Sequence, residues 1–304
     1  MKSTITSDLR SRLSKFNLED NPVLIQIPQF PLDLFDSNVA KKHGYFAYPP
    51  QGLLYISASM RKHGINSKIL DLNFEVLEEA QKSNPKIDQA WQDTLMVVLE
   101  KADAPFVGVS FMFEWSFPNF QLVCKFIRAR KPDACIAAGG VAATSDPDRL
   151  IREGLVDIVF SHEGESAISS FYSFVRRETS ELPINISFLD NQGVITHTPR
   201  VTGGNVDLDI TREFKKIPIQ DYYKVGALSN FQRMNGIDIP YAAILAKRGC
   251  RNCCSFCSVR NFNGQNVRVR DVENVVREME FLHTKFGTNI ISSIFNFLFN
   301  ILLI

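Results

Sequence analysis

Short apolar runs alternate with longer amphipathic stretches in the N-terminal part of the chain. The runs have the length of buried strands, and the stretches between them place apolar residues three and four positions apart, as helices do. The pattern predicts strands at residues 23–27, 67–72, 106–111, 134–138 and 157–160, and helices at residues 49–64, 87–101, 117–130, 146–153 and 165–175. Because strands and helices alternate, the predicted fold class is α/β, a doubly wound parallel sheet with helices on both faces.

The carboxyl ends of the predicted strands carry small residues. Such sheets bind ligands at this edge. Ser110 lies at the end of the third strand, and Gly139 and Gly140 follow the fourth, where a bulky ligand can lie against bare backbone. Trp115 lies in a loop on the same side and either packs on a flat ligand or caps the core. Ordinary sheet-to-helix turns have the same composition, so spacing alone leaves both interpretations open.

The remainder of the chain has a different pattern. Residues 184–198 contain two short runs around Asn191-Gln192-Gly193, a sequence typical of turns, which predicts a hairpin. A further strand is predicted at residues 241–246, and a helix at residues 271–286. The pattern therefore predicts an N-terminal extension at 1–20, a sheet domain at 21–200, a linker at 201–238 and a second domain at 239–304.

Composition excludes several classes of function. Lys and Arg total 34 and Asp and Glu total 33, so the formal net charge is +1 and no nucleic-acid partner is expected. A hydrophobic fraction of 45% with 22% charged residues is typical of a globular protein and excludes wholesale disorder. Residues 1–20 lack the apolar core of a signal peptide, which predicts a cytoplasmic location.

The chain has six cysteines, and four of them fall between residues 250 and 257. Cys250, Cys254 and Cys257 have the spacing C-x3-C-x2-C. Three thiolates on one tight loop can hold three irons of a cubane and leave the fourth iron open to a small molecule. Cys253 is predicted to be an extra thiol, although a shifted register that uses it stays open. Cys124 and Cys135 are predicted to be buried and to carry no chemistry.

A zinc site made from the same thiols is the alternative. Tetrahedral zinc takes four ligands, normally as two separated pairs. Cys253 and Cys254 are adjacent, so the four thiols converge poorly on one ion, and His283 lies in the predicted helix beyond. The spacing therefore favours iron and sulfur over zinc.

The cysteine loop resembles the signature of the radical S-adenosylmethionine superfamily, C-x3-C-x-aromatic-C after the first strand of a partial TIM-like (β/α) barrel. Cys250, Cys254, Phe256 and Cys257 match it, and so does the preceding Lys247-Arg248-Gly249. The resemblance implies a 4Fe–4S cluster on the three cysteines, with S-adenosylmethionine on the open iron and Phe256 lining the adenosyl pocket. It also implies an electron donor such as flavodoxin or ferredoxin and cleavage to a 5′-deoxyadenosyl radical.

The N-terminal part resembles one branch of that superfamily, in which a Rossmann-like cobalamin-binding domain precedes the barrel. The similar stretches are residues 50–55, 107–110, 138–144 and 157–165. The resemblance implies that Ser110, Gly139, Gly140 and Glu163 border the corrin. The motif Asp-x-His-x-x-Gly is absent, which implies cobalt without a protein histidine. His162 stands where the branch usually has Gly, and we interpret it as a surface or supporting residue rather than a cobalt ligand.

The predicted function follows from both resemblances. Members of this branch transfer methyl groups or build rings on small molecules. A catalytically incomplete chain that binds cobalamin and a cluster, and a structural zinc protein, are the alternatives. We expect residues 288–304 to mark a fragment or frameshifted end, because the barrel would continue there. The tail could otherwise be a second barrel strand that pairs with a partner chain. A membrane anchor is disfavoured, because the apolar stretch is about 15 residues where about 20 are usual.

Overall fold

The computed structural model describes residues 2–101, 105–228, 238–295 and 298–303. Within these ranges the first sheet has seven strands in the order β2-β1-β3-β4-β5-β6-β7. The strands are β1 Val23–Gln26, β2 Lys68–Asp71, β3 Phe106–Ser110, β4 Cys135–Gly139, β5 Ile158–Phe160, β6 Ile186–Leu189 and β7 Ile195–His197. The first five are parallel, and β6 and β7 extend the sheet as an antiparallel hairpin. The doubly wound parallel sheet is confirmed.

Helices cover both faces of this sheet. They are α1 Lys2–Leu13, α2 Ser37–Lys41, α3 Gln51–Lys62, α4 Leu72–Ala80, α5 Ile87–Leu99, α6 Phe117–Arg130, α7 Val141–Ser145, α8 Pro147–Arg152 and α9 Gly164–Val175. Two hydrophobic clusters lie on opposite faces of the sheet, because alternate residues of each strand point to opposite sides. Cys124 and Cys135 are fully buried, as predicted, and burial raises the pKa of both thiols.

Helix α1 lies in the segment that the pattern presents as an extension. Ile5, Leu9 and Leu13 follow at four-residue steps, and Leu9 and Leu13 are buried in the same cluster as α9. Arg10 donates hydrogen bonds to the carbonyl oxygens of Phe174 (3.4 Å) and Thr179 (3.1 Å). The short apolar stripe is masked in the sequence by the polar residues around it, so only packing against α9 makes the helix evident.

The described part of the predicted linker packs against the first domain. Its Val206, Leu208, Ile210 and Phe214 are buried, and it includes α10 Tyr222–Val225. Glu213 is fully buried and accepts hydrogen bonds from the Ser57 hydroxyl (2.5 Å) and the Arg61 Nε (2.6 Å). The pattern predicts a linker here, and the structure shows that buried side chains hold its described part on α3. Residues 229–237 of the predicted linker lie outside the described residues.

Asp71 connects this segment to the sheet and predicts a pH effect. Its carboxylate accepts hydrogen bonds from the Tyr222 hydroxyl (2.6 Å), Gln26 Nε2 (3.1 Å) and the Phe74 N–H (3.1 Å). Burial raises the pKa of Asp71 from 3.8 to about 6 despite these bonds. A raised folded-state pKa means that the group's contribution to stability is complete below pH 4 and is lost as the pH rises through 6.

We therefore expect Asp71→Asn to gain stability relative to the unmodified chain as the pH rises from 4 to 7, by on the order of 3 kcal/mol. The amide can still accept from Phe74, and Gln26 can turn its own amide to match. Urea unfolding of both proteins at pH 4, 5, 6 and 7 measures the difference, because groups common to both cancel. A difference that does not change across this range would contradict the prediction.

The second domain has a three-stranded sheet and a separate two-stranded hairpin. Its elements are β8 Tyr241–Ile244, β9 Lys247–Cys250, α11 Val259–Asn263, β10 Asn266–Val269, α12 Val272–Phe286, β11 Ile290–Phe295 and β12 Leu298–Leu303. β8 and β11 are parallel neighbours, with α12 in the connection between them, as in a (β/α) unit. Asp71 caps α4 in the first domain, and here Asp271 caps α12 by accepting from the N–H groups of Glu273 and Asn274.

The tail forms strands with its own chain. β11 pairs with β8, and β12 pairs antiparallel with β11. The structure thus places a strand where the tail is predicted to form one, and this strand, β11, pairs with β8 of the same chain. Pairing of the tail with a partner chain stays a prediction. Among the described residues, no helix has both the length and the apolar character needed to span a bilayer.

Candidate functional site

The predicted ligand edge brings Ser110 and Gly139 side by side. Parallel register pairs Gln26 of β1 with Ser110 of β3, and Ser110 with Gly139 of β4. Gly139 also pairs with Phe160 of β5. The carboxyl ends of β1, β3, β4 and β5 therefore meet at one edge of the sheet, and the residues predicted from β3 and β4 lie side by side there. Their contact with a corrin stays a prediction.

The two adjacent glycines at this edge have different reasons to be glycine. Gly140 has φ +117°, and a Cβ there would lie 2.5 Å from the backbone oxygen of Phe111. The local backbone therefore requires Gly140 with or without a ligand. A Cβ on Gly139 would meet only the oxygen of Phe160, at 3.7 Å. Gly139 is thus the one whose missing side chain leaves space at the edge.

A flat aromatic surface borders the same edge. The rings of Phe113 and Trp115 stack with centroids 4.3 Å apart and planes 7° apart. Trp115 is 61% exposed and its indole N–H lies 3.4 Å from the carbonyl oxygen of Gln29. Capping of the core, one of the two interpretations of Trp115, is therefore wrong. The exposed ring is available to a ligand that approaches the carboxyl end of β3.

His162 lies where the first domain meets the second. Its φ of +61° is the left-handed conformation that glycine adopts without strain. Its N–H donates to the Thr144 hydroxyl (2.8 Å), and its Nδ1 has no hydrogen-bond partner among the described residues. Burial lowers the pKa of His162, Arg200 lowers it further, and the backbone of Asn261 and Phe262 opposes this shift. His162 is only 8% exposed, so the interpretation of His162 as a surface residue is wrong. Its role as a supporting residue stays a prediction.

The cysteine loop is carried by a hairpin of β9 and β10. Cys250, the last residue of β9, pairs with Asn266, the first of β10. Gly249 has φ +96°, and a Cβ there would overlap the Asn266 carbonyl oxygen. Cys253 and Cys254 are exposed, Cys250 and Cys257 are half-buried, and the Cys257 N–H donates to the Cys254 oxygen. The hairpin was not predicted, because four-residue strands containing charged residues carry little periodicity.

A pocket of about 520 Å³ lies beside this loop. Cys253, Cys254 and Cys257 line it together with Arg200 and Arg260. Phe256, which the resemblance places at an adenosyl pocket, is 89% exposed and is not among the lining residues. The two arginines make the pocket positively charged, which suits a ligand with an anionic group.

The donor set fits an iron–sulfur cluster by its chemistry. Thiolates are the usual protein ligands of such clusters, and the loop offers thiols without a histidine or carboxylate in the pocket lining. As placed, however, the described side chains include no group of three His, Cys, Asp or Glu close enough to hold a metal ion. Cys253, Cys254 and Cys257 nevertheless line one pocket, and Cys250 ends β9.

Glu163 joins the ligand edge to the cysteine hairpin. Its carboxylate accepts hydrogen bonds from Asn263 Nδ2 (2.8 Å) and Arg268 Nη1 (2.7 Å). Glu165, in the first turn of α9, pairs with Arg248 Nη2 at 2.8 Å. Burial lowers the pKa of Arg248, but Glu165 and Glu163 outweigh it and raise that pKa overall. The resemblance implies that Glu163 borders the corrin, but it gives no sign of these partners, which lie about a hundred positions away.

Comparison with known proteins finds a matching domain family and curated relatives. Residues 39–171 match the family model of the B12 binding domain. The chain is 26% identical over 263 residues to the cytidylyl-2-hydroxyethylphosphonate methyltransferase of Streptomyces wedmorensis, covering 78% of this chain and 49% of that protein. The chain thus spans about half the length of the curated relatives it matches.

Solved structures show the same fold. The radical S-adenosylmethionine methyltransferase TsrM from Kitasatospora setae aligns with a TM-score of 0.60 at 17% identity, over 90% of this chain and 46% of that one. The cobalamin-dependent S-adenosylmethionine radical enzyme OxsB aligns with a TM-score of 0.55 at 15% identity, over 89% and 33%. Residues 39–171 therefore match a B12 binding domain, and the fold of the described chain is similar to the folds of these two radical S-adenosylmethionine enzymes.

Proposed function

We propose that this chain binds cobalamin at the carboxyl edge of its first sheet and a 4Fe–4S cluster at Cys250, Cys254 and Cys257. It would use both with S-adenosylmethionine for methyl transfer or cyclisation on a small molecule. One observation carries the proposal. The β5–α9 loop of the B12-binding domain, through Glu163, directly holds the hairpin from which the cysteine loop projects. This contact supports the proposal, because it would keep the two proposed cofactor sites on adjoining segments, as a shared reaction requires.

The residues of the chain have separable tasks in this reaction. When bound, the cluster would supply the electron that cleaves S-adenosylmethionine to a 5′-deoxyadenosyl radical. Cys250, Cys254 and Cys257 would hold the cluster, and Arg200 and Arg260 would attract an anionic group into the adjoining pocket. Ser110 would donate a hydrogen bond to a polar group of the corrin, and the open side of Gly139 would allow its close approach.

The exposed side of the cysteine loop would receive the electron. Cys253 and Cys254 both face solvent, so a small donor such as flavodoxin or ferredoxin could approach without opening the fold. The substrate would be a small molecule that enters from the barrel side. The second candidate function is binding of cobalamin and cluster without turnover.

Anaerobic loading of the full chain tests the proposal. We expect one hydroxocobalamin per chain to remain after dialysis, and reconstitution with iron and sulfide to add the broad absorption of a cluster. Formation of 5′-deoxyadenosine from S-adenosylmethionine under a strong reductant would then support turnover. An intact cluster without that product would support binding alone. A chain that stays free of iron and retains stoichiometric zinc would overturn the cluster assignment.

A further inference from the structure

The hairpin that carries the cysteine loop has two arginines directly opposite each other. Arg248 of β9 and Arg268 of β10 are paired in register. Like charges in such a cross-strand pair destabilise a hairpin, and a two-stranded hairpin is marginally stable by itself. The β9–β10 hairpin therefore depends on groups outside it to compensate the two charges.

Two carboxylates of the first domain provide this compensation. Glu165 lies 2.8 Å and Glu163 3.7 Å from the Arg248 guanidinium, and Glu163 also pairs with Arg268. The side chains of Arg248 and Arg268 are 13% and 20% exposed, and those of Glu163 and Glu165 are 6% and 10% exposed. Charges this buried interact far more strongly than surface ion pairs, and removing one partner leaves an uncompensated charge.

The other end of the cysteine loop is attached to the same domain. Asn263, at the end of α11, donates to Glu163. Arg200, which follows β7, donates through Nη2 to the Asn261 carbonyl and side-chain oxygens, both at 2.9 Å. The cysteine loop runs from β9, which is held through Arg248, to α11, which is held through Asn261 and Asn263. Within it, Cys253 and Cys254 are exposed and Cys257 is half-buried. The loop is thus fixed at its base and free at its tip.

We infer that Glu163 and Glu165 act as positioning residues that clamp the Arg248–Arg268 hairpin onto the B12-binding domain, and so hold the cysteine loop where it can take up its cluster. The part that concerns the cluster rests on the function proposed above. The clamp itself concerns only this chain's residues. It gives Glu163 a role in joining the domains, whether or not its neighbours border a corrin.

Trypsin cleavage of the unloaded full chain tests the clamp without any cofactor. Arg251 and Arg260 lie within the loop, so cleavage after them reports its release. We expect the double variant Glu163→Gln with Glu165→Gln to be cleaved there at least about tenfold faster than the unmodified chain. The matched control is Glu213→Gln, which also removes a buried carboxylate but contacts α3 and not the hairpin. Equal cleavage in the double variant and this control would overturn the inference.

A charge exchange keeps the test decisive if the double variant does not fold. Arg248→Glu alone should release the base of the loop and speed cleavage after Arg251 and Arg260, and its combination with Glu165→Arg should reverse at least part of that increase. Protection no better than that of Arg248→Glu alone would refute the clamp. Iron uptake provides the second readout, and it should fall in the double variant and not in Glu213→Gln. An unmodified chain that takes up no iron would refute the proposed function, while the cleavage comparison would still decide the clamp.

Discussion

Alanine at Cys250, Cys254 or Cys257 should lower reconstituted iron from about four atoms per chain to nearly none, because each thiolate binds one iron of the cubane. The two remaining thiolates can bind only two irons of the cubane. The lining of the adjoining pocket includes no histidine or carboxylate that could replace the third ligand. Iron and sulfide analysis and the cluster absorption band measure the effect. Cobalamin binding should persist in all three variants, because Ser110 and Gly139 lie on the other domain.

Cys253→Ala is the matched control for these variants. It removes an exposed thiol from the same pocket and the same loop. We expect it to retain iron, because the resemblance assigns the cluster to the other three cysteines. Cys253 does line the pocket with Cys254 and Cys257, and Cys250 does not. Loss of iron in Cys253→Ala with retention in Cys250→Ala would therefore show the shifted register and correct the assignment.

The parallel sheet could be predicted because its strands are buried on both faces. Such strands are continuous apolar runs separated by turn residues, and Val23–Gln26 and Cys135–Gly139 show this pattern clearly. Helix α4 was missed because Leu72–Ala80 follows β2 without a turn, with Asp71 as both the last strand residue and the cap. Local pattern identifies an element only where something in the sequence separates it from the preceding one.

The candidate site could be predicted only where its residues are close in sequence. The cysteines fall in one short loop, so their spacing is visible, and the glycines follow directly on a strand. The contacts of Glu163 with Asn263 and Arg268 span 100 and 105 positions. Nothing in the sequence around a loop carboxylate predicts a partner that lies so far away along the chain. The hairpin β9–β10 was missed for the same reason, since burial of its arginines is a property of the domain contact.

The two glycines at the ligand edge allow folding and binding to be separated. Gly140→Ala should lower the free energy of unfolding by about 3 kcal/mol, because its φ of +117° is a conformation that other residues reach only with strain. The new methyl group would also lie 2.5 Å from the Phe111 oxygen, which is backbone and cannot turn aside. Thermal unfolding should show a fall in Tm of roughly 6–12 °C.

Gly139→Ala should leave the stability of the fold nearly unchanged and should weaken cobalamin binding. Its added Cβ meets only the Phe160 oxygen, at 3.7 Å, and its φ is not positive. We expect a change in unfolding free energy within about 1 kcal/mol. If the corrin lies against this backbone, the methyl group occupies its space, and hydroxocobalamin affinity should fall at least tenfold, about 1.4 kcal/mol. Dialysis at several cobalamin concentrations measures it. Unchanged affinity in a stably folded Gly139→Ala protein would move the corrin away from β4, and with it the assignment of Ser110, which is paired to Gly139 in register.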